Sequence, residues 1–225
     1  MVPAFEAQYG GKVRVIAAGT GAALKLGENG DADVLLVHAR ALEDKFMAAG
    51  FGAVRKDVMY NDFVIVGPKS DPAAVRGGKD VVAAMKKISA SGAKFVSRGD
   101  ESGTHEMEKN YWKAAGVETK GAWYLSAGQG MGQVLTMAGQ LEGYTLTDRA
   151  TYAAYRDKTA LDVLVEGDPR MFNPYGVIAV NPRRHPGINA EGALAFVDWI
   201  TSAAGQKIIA GFKINGVQMF FPAAK

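Results

Sequence analysis

The chain has 225 residues, of which 48% are hydrophobic and 22% charged, with a net charge of +3 and no cysteine. That length suffices for one large domain or two smaller lobes with cores of their own, and without cysteine there are no disulfides, thiolate metal sites or cysteine nucleophiles. Lys and Arg are interleaved with acids rather than gathered into the basic patch that backbone binding to nucleic acid requires, and no apolar run approaches the roughly 18 residues of a membrane span.

The opening stretch MVPAFEAQYGGK has neither the basic start nor the apolar middle of a signal peptide, as a mature exported protein would also read. KVRVIAAGTG (12–21) is apolar and β-branched up to a Gly-Thr-Gly, which predicts a buried strand over Val13–Ala17 and a tight loop after it. AALKLGENG reads as a short helix closed by Gly27 or Gly30, and ADVLLVHA as a central parallel strand. RALEDKFMAAGFG is an amphipathic helix with Leu42, Phe46 and Met47 on one side, and DVMYNDFVIVGP is a strand stopped by Gly67-Pro68.

The alternation continues. DVVAAMKKISASG predicts a helix, KFVS a short strand and SGTHEMEKNYWKAAG a helix; WYLS leads into the glycine loop and helix of AGQGMGQVLTMAGQLEG. YTLTD is a strand and RATYAAYRDK a helix. LDVLVEGDPRMFNPYGVIAVNP holds two strands broken around Asp168-Pro169 and Asn173-Pro174, and NAEGALAFVDWITSAAGQKIIAGF is one long closing helix. Strands alternating with helices imply α/β architecture with mainly parallel sheets. The segments 67–80 and 166–174, rich in Pro, Gly and charge, divide the chain into lobe 1 (1–66 with 172–225) and an inserted lobe 2 (67–171). Hinges are expected near 67–72 and 166–174, an arrangement in which small ligands are enclosed by domain closure.

Ligands of such sheets collect at the carboxyl ends of strands, where helix N-termini point. Four loops share that position and one chemistry: AAGTGAAL, VHARAL, SRGDESGTH and SAGQGMGQ. Each offers small residues or backbone N–H groups opening a helix, which suit an anion. Hydroxyls of Thr20, Ser102, Thr104 and Ser126 add donors, and Arg98 adds a charge and a planar donor fork. The plainer alternatives are a surface ion pair of Arg98 with Asp100 and Glu101, and Ser102 as a helix cap only.

Other chemistries fit poorly. GTGAAL lacks the third glycine of a dinucleotide loop, and the glycines at 128, 130 and 132 have the wrong spacing. HEMEK carries Lys109 where a zinc helix needs its second histidine, and Ser102 with His105 has no third group assigned to orient the imidazole. His38 and His185 read as structural or solvated, and Phe46, Trp112 and Trp199 as core.

The stretches VRVIAAGTGAALKLGENGDADVLLVHA, VMYNDFVIVGPKSDP, FVSRGDESGTH and GMGQVLTMAGQLEGYTLTDRATY resemble the tungstate-binding periplasmic proteins of the TupA type, from about Val2 to Pro222 and in the same order. These are substrate-binding components of ABC transporters. The resemblance implies a two-lobed type II periplasmic-binding-protein fold that encloses an oxyanion, with no catalysis and no cofactor. It implies a periplasmic, monomeric receptor whose partners are tungstate and a membrane permease. Gly19, Thr20 and Gly21 match an oxyanion loop; Ala39 matches a backbone donor at a helix start. Arg98 matches the arginine that marks tungstate binders, Thr104 a hydroxyl beside it, and Gly130 and Met131 the backbone donors of the second lobe. It also implies that a signal peptide, a first strand and a further Thr/Ser-rich oxyanion loop would precede Val2. A receptor for molybdate, sulfate or phosphate, and an α/β enzyme acting on an anionic substrate, remain as alternatives.

Overall fold

The computed structural model describes residues 1–100 and 102–225. In chain order the elements are α1 (Val2–Tyr9), α2 (Thr20–Asn29), β1 (Val34–Val37), α3 (Arg40–Ala48) and β2 (Gly52–Pro68). Then come α4 (Val81–Ser91), β3 (Phe95–Ser97), α5 (Gly103–Ala115), β4 (Tyr124–Ser126), α6 (Met131–Gln140), β5 (Thr145–Asp148) and α7 (Arg149–Tyr155). The chain closes with β6 (Leu161–Val165), β7 (Phe172–Val180), α8 (Ala190–Thr201), α9 (Ala203–Ala210), β8 (Lys213–Ile214), β9 (Val217–Gln218) and β10 (Phe221–Pro222). None of the helices among the described residues is long and apolar enough to cross a membrane.

Two compact units result. Unit 1 comprises Met1–Tyr60, Asn173–Lys213 and Gln218–Lys225; unit 2 comprises Asn61–Phe172 and Ile214–Val217. In unit 1, β1 runs antiparallel to β7, with Val34 opposite Ala179 and Val37 opposite Gly176. β10 pairs antiparallel with β2 at Tyr60 and Met59. One core lies around Phe5, Val58, Val177, Phe196, Trp199 and Ile200, a second around Leu24, Leu35, Phe46 and Ile178. Phe5 anchors α1 by placing its ring 5.1 Å from Phe196 and 5.5 Å from Trp199.

In unit 2 the fully buried Val64, Ile65 and Val66 of β2 make antiparallel ladders with β5 and β6. β3 and β4 form a parallel pair, Phe95 opposite Tyr124 and Ser97 opposite Ser126. Asp80 caps α4 at Ala83 N–H (2.9 Å) and Asp148 caps α7 at Thr151 N–H (2.8 Å), as side-chain oxygens at helix starts do.

Four features depart from the sequence expectation. Along β1, β2 and β7 the ladders are antiparallel, because buried strands of either kind read as the same continuous apolar run. The predicted strand over 13–17 is an irregular segment outside any ladder, with Val15 68% and Ile16 52% exposed. The closing helix is two helices. Ser202 leaves helical conformation (φ −72, ψ 165) and caps α9 at Gly205 N–H, and a Cβ at Gly205 would lie 2.3 Å from the Trp199 carbonyl oxygen. Asn173-Pro174 does not interrupt a strand but lies within β7.

Candidate functional site

The two halves of the predicted donor set fall in different units. In unit 1, Gly19 stands at the N-cap of α2 without a side-chain cap, and Thr20 and Gly21 open the helix. The first N–H groups of a helix have no acceptor within it, so this end presents donors. Thr20 Oγ1 accepts from His38 N–H at 3.3 Å, which ties the Gly19–Gly21 loop to the loop before α3. His38 is itself held, its Nδ1 3.3 Å from Asn173 Oδ1 and its ring 4.7 Å from Tyr175.

Ala39 does stand at a helix start, as expected, but its N–H donates to Glu43 Oε1 at 2.9 Å. The N–H predicted to face an anion is therefore taken by a carboxylate of its own helix. Glu43 is fully buried, and its other oxygen accepts from Arg55 Nε at 2.9 Å. Arg55 also bonds Asp57. A capping box carries its acid at the third position past a Ser or Thr N-cap, whereas Glu43 stands at the fourth past an alanine, so no standard cap pattern marked it. Here the position was read only for its apolar neighbours.

In unit 2 the structure gathers Arg98, Ser102, Thr104, Gly130 and Met131 around the carboxyl ends of β3 and β4. Ala127 N–H donates to the Ser97 carbonyl (2.9 Å) and Gln129 N–H to the Arg98 carbonyl (3.2 Å), so the loops after the two strands run side by side. Gly99, at φ +61, fits because it has no Cβ: one built there would lie 2.0 Å from Ser126 Oγ. Gly130 is the N-cap of α6, without a side-chain cap, and Met131 begins the helix. Ser102 caps α5, accepting from His105 N–H at 3.3 Å, and Thr104 sits buried in the first turn.

Arg98 is largely buried, and its Nε donates to Asp100 Oδ2 at 3.0 Å. The ion pair with Asp100 is thus real and coexists with the position of Arg98 beside the helix starts; Glu101 lies outside the described residues. Burial works to raise the Asp100 carboxyl. Bonds from Ser102 and Arg98 outweigh it and hold the group down at about 2.

A buried acid behind this wall had no place in the sequence reading. Glu108 on α5 is 2% exposed and accepts from Ser97 Oγ (2.7 Å), Tyr124 OH (2.7 Å) and Trp112 Nε1 (3.0 Å). Burial pushes its carboxyl above the usual range, against those three bonds and the nearby His105. The available signal was an acid on the apolar stripe of an amphipathic helix, between His105 and Trp112. The bland readings of Phe46, Trp112 and Trp199 hold: all three are buried in the cores.

A family model described as the PBP superfamily domain matches residues 1–204. The tungstate-binding protein TupA of Peptoclostridium acidaminophilum is 48% identical over 228 residues, covering 100% of this chain and 80% of that protein. A relative from Haloferax volcanii is 47% identical over 99% of this chain, which spans 66% of that protein's length. Among solved structures, the tungstate binding protein TupA from Desulfovibrio alaskensis G20 superposes with a TM-score of 0.93 at 49% identity, over 100% of this chain and 92% of that chain.

Proposed function

Since the chain belongs to the TupA family of tungstate-binding proteins within the PBP superfamily, we propose that it is the periplasmic solute-binding component of an ABC importer. It captures tungstate and delivers it to a membrane permease, without turnover.

The observation that carries this reading is the wall in unit 2. There the guanidinium of Arg98, paired with Asp100, stands where two parallel strands end, beside a helix start that no side chain caps. Tungstate is a tetrahedral dianion, and removing it from water is costly unless every oxygen gains donors. Arg98 offsets part of the charge through a planar fork. The first N–H groups of α6, starting at Met131, add partial positive charge at the same place. Thr104 supplies a hydroxyl near the start of α5. Within unit 1 the proposed neutral donors are those of Gly19, Thr20 and Gly21. With the Ala39 N–H occupied by Glu43, the open donors at α3 are those of Arg40 and Ala41, one residue later than the resemblance implies.

The test is thermal unfolding with tungstate, molybdate, sulfate or phosphate, followed by calorimetric titration. Tungstate at about a thousand times its dissociation constant should add roughly 4 kcal/mol to the folded state, several degrees in Tm. Arg98→Ala should weaken binding by roughly 2–4 kcal/mol, about 30- to 1000-fold. Arg98→Lys should recover only part, since it lacks the fork. An equal response to molybdate or sulfate would make the protein a general oxyanion receptor. An unchanged dissociation constant in Arg98→Ala would remove Arg98 from the site.

A further inference from the structure

The unit 2 loops hang from very short strands. β3 and β4 have three residues each, so their ladder alone gives little to fix where the loops begin. What joins them from behind is one carboxylate. Glu108 Oε2 takes the hydroxyl of Ser97, the last residue of β3 and the neighbour of Arg98. Its Oε1 takes the hydroxyl of Tyr124, the first residue of β4, and the indole N–H of Trp112 one turn along α5. The same helix carries Ser102 and Thr104 at its start. Three segments that bear the proposed anion donors thus meet at a single side chain, inside unit 2.

The surroundings of Glu108 are aromatic: Phe95 packs edge-on against Trp112 at 4.9 Å, and Trp112 against Tyr124 at 6.3 Å. Glu108 satisfies three buried donors that an apolar side chain would leave without an acceptor. Its geometry also does more than satisfy them: a carboxylate accepts from several directions at once, and three donors arriving from β3, β4 and α5 are locked to one another through it.

We propose that Glu108 is the positioning residue of the anion site, holding the ends of β3 and β4 so that Arg98 and the Gly128–Met131 loop present their donors in fixed register. The affinity part of this rests on the receptor reading above; the loop-ordering part does not.

Two measurements on the full chain test it. The first is amide hydrogen exchange without ligand, read at Ala127 and Gln129, whose N–H groups tie the two loops. Glu108→Leu should speed exchange there at least about tenfold. Glu108→Gln should not, because its amide oxygen can accept from Tyr124 and Trp112 while its N–H donates to Ser97. Tyr111→Phe, which removes a hydroxyl bond from the same helix to the Arg170 carbonyl, is the control and should leave these amides unchanged. If Glu108→Leu does not fold, the Ser97→Ala/Tyr124→Phe pair cuts the same two ties. Unchanged exchange in Glu108→Leu, or in Ser97→Ala/Tyr124→Phe where that variant replaces it, overturns the proposal, as does an equal rise in Tyr111→Phe.

The second measurement is the tungstate dissociation constant. Glu108→Leu should weaken it at least about tenfold and Glu108→Gln less than about threefold. Wild-type affinity in Glu108→Leu overturns the positioning role. A wild-type protein that binds none of the four anions overturns the receptor reading instead, and the exchange data still decide whether Glu108 orders the loops.

Discussion

Gly99 is the position where one methyl group does the most damage. Its φ of +61 costs an L-residue about 1–2 kcal/mol, and its missing Cβ is the space that Ser126 Oγ fills. Gly99→Ala should therefore lower Tm and weaken tungstate binding together. Adding Ser126→Gly should relieve the overlap and return part of both, leaving the backbone strain. Full recovery in the double variant would mean that the left-handed φ carries no strain, and no change in Gly99→Ala would mean that the two loops are not in contact. Arg98 was readable because a lone charge between an apolar run and a helix start is unusual. The occupied N–H of Ala39 was not legible, because its partner Glu43, four residues away, was given no role in the sequence reading of that helix. Glu108 escaped because two of its partners come from β3 and β4, leaving an acid on the apolar stripe of α5 as its local signal.

Helices were read more securely than strands. Cap residues mark the starts of α4, α5 and α7 directly in the sequence, and glycines after the last turn the ends of α4 and α5, since each depends on neighbours within a few residues. The break at Ser202 was legible only as a helix-compatible Ser-Ala-Ala-Gly; the close approach of Gly205 to Trp199 is what makes it a turn between two helices. Strand direction depends on partners distant in sequence, and β2 shows why it stays hidden: its apolar run is equally suited to neighbours of either direction. At α3 the helix start is tied to the sheet by the Glu43–Arg55 pair, buried on both sides. Glu43→Ala leaves a buried guanidinium with fewer acceptors and the Ala39 N–H unpaired, and should cost about 3–5 kcal/mol. Glu43→Leu with Arg55→Met should cost much less, since both charges leave together. Chemical denaturation of the three proteins checks this: equal losses in the single and double variants would show that the pair's charges contribute nothing.

Taken whole, the chain leaves unit 1 after Tyr60, returns at Asn173, and lends the short piece Ile214–Val217 back to unit 2. Composition and alternation were enough for the α/β class, because they report on layers rather than on pairing. They failed at 13–17, where an apolar run was taken as proof of burial. That segment has a chemical consequence of its own. Proteases hold their substrates as extended chain, and an exposed stretch outside any ladder can take that shape without breaking strand hydrogen bonds. Lys12 and Arg14 lie in or beside it, Lys12 with its side chain 91% exposed. Brief trypsin treatment should cut first after one of these two residues. The nicked peptide should stay attached, because Phe5 remains packed between Phe196 and Trp199. Mass spectrometry under denaturing conditions would find a chain beginning at Val13 or Val15, while the native mass stays whole; a first cut elsewhere would mean that the segment is covered in solution. A preparation can thus lose its covalent N-terminus without losing α1.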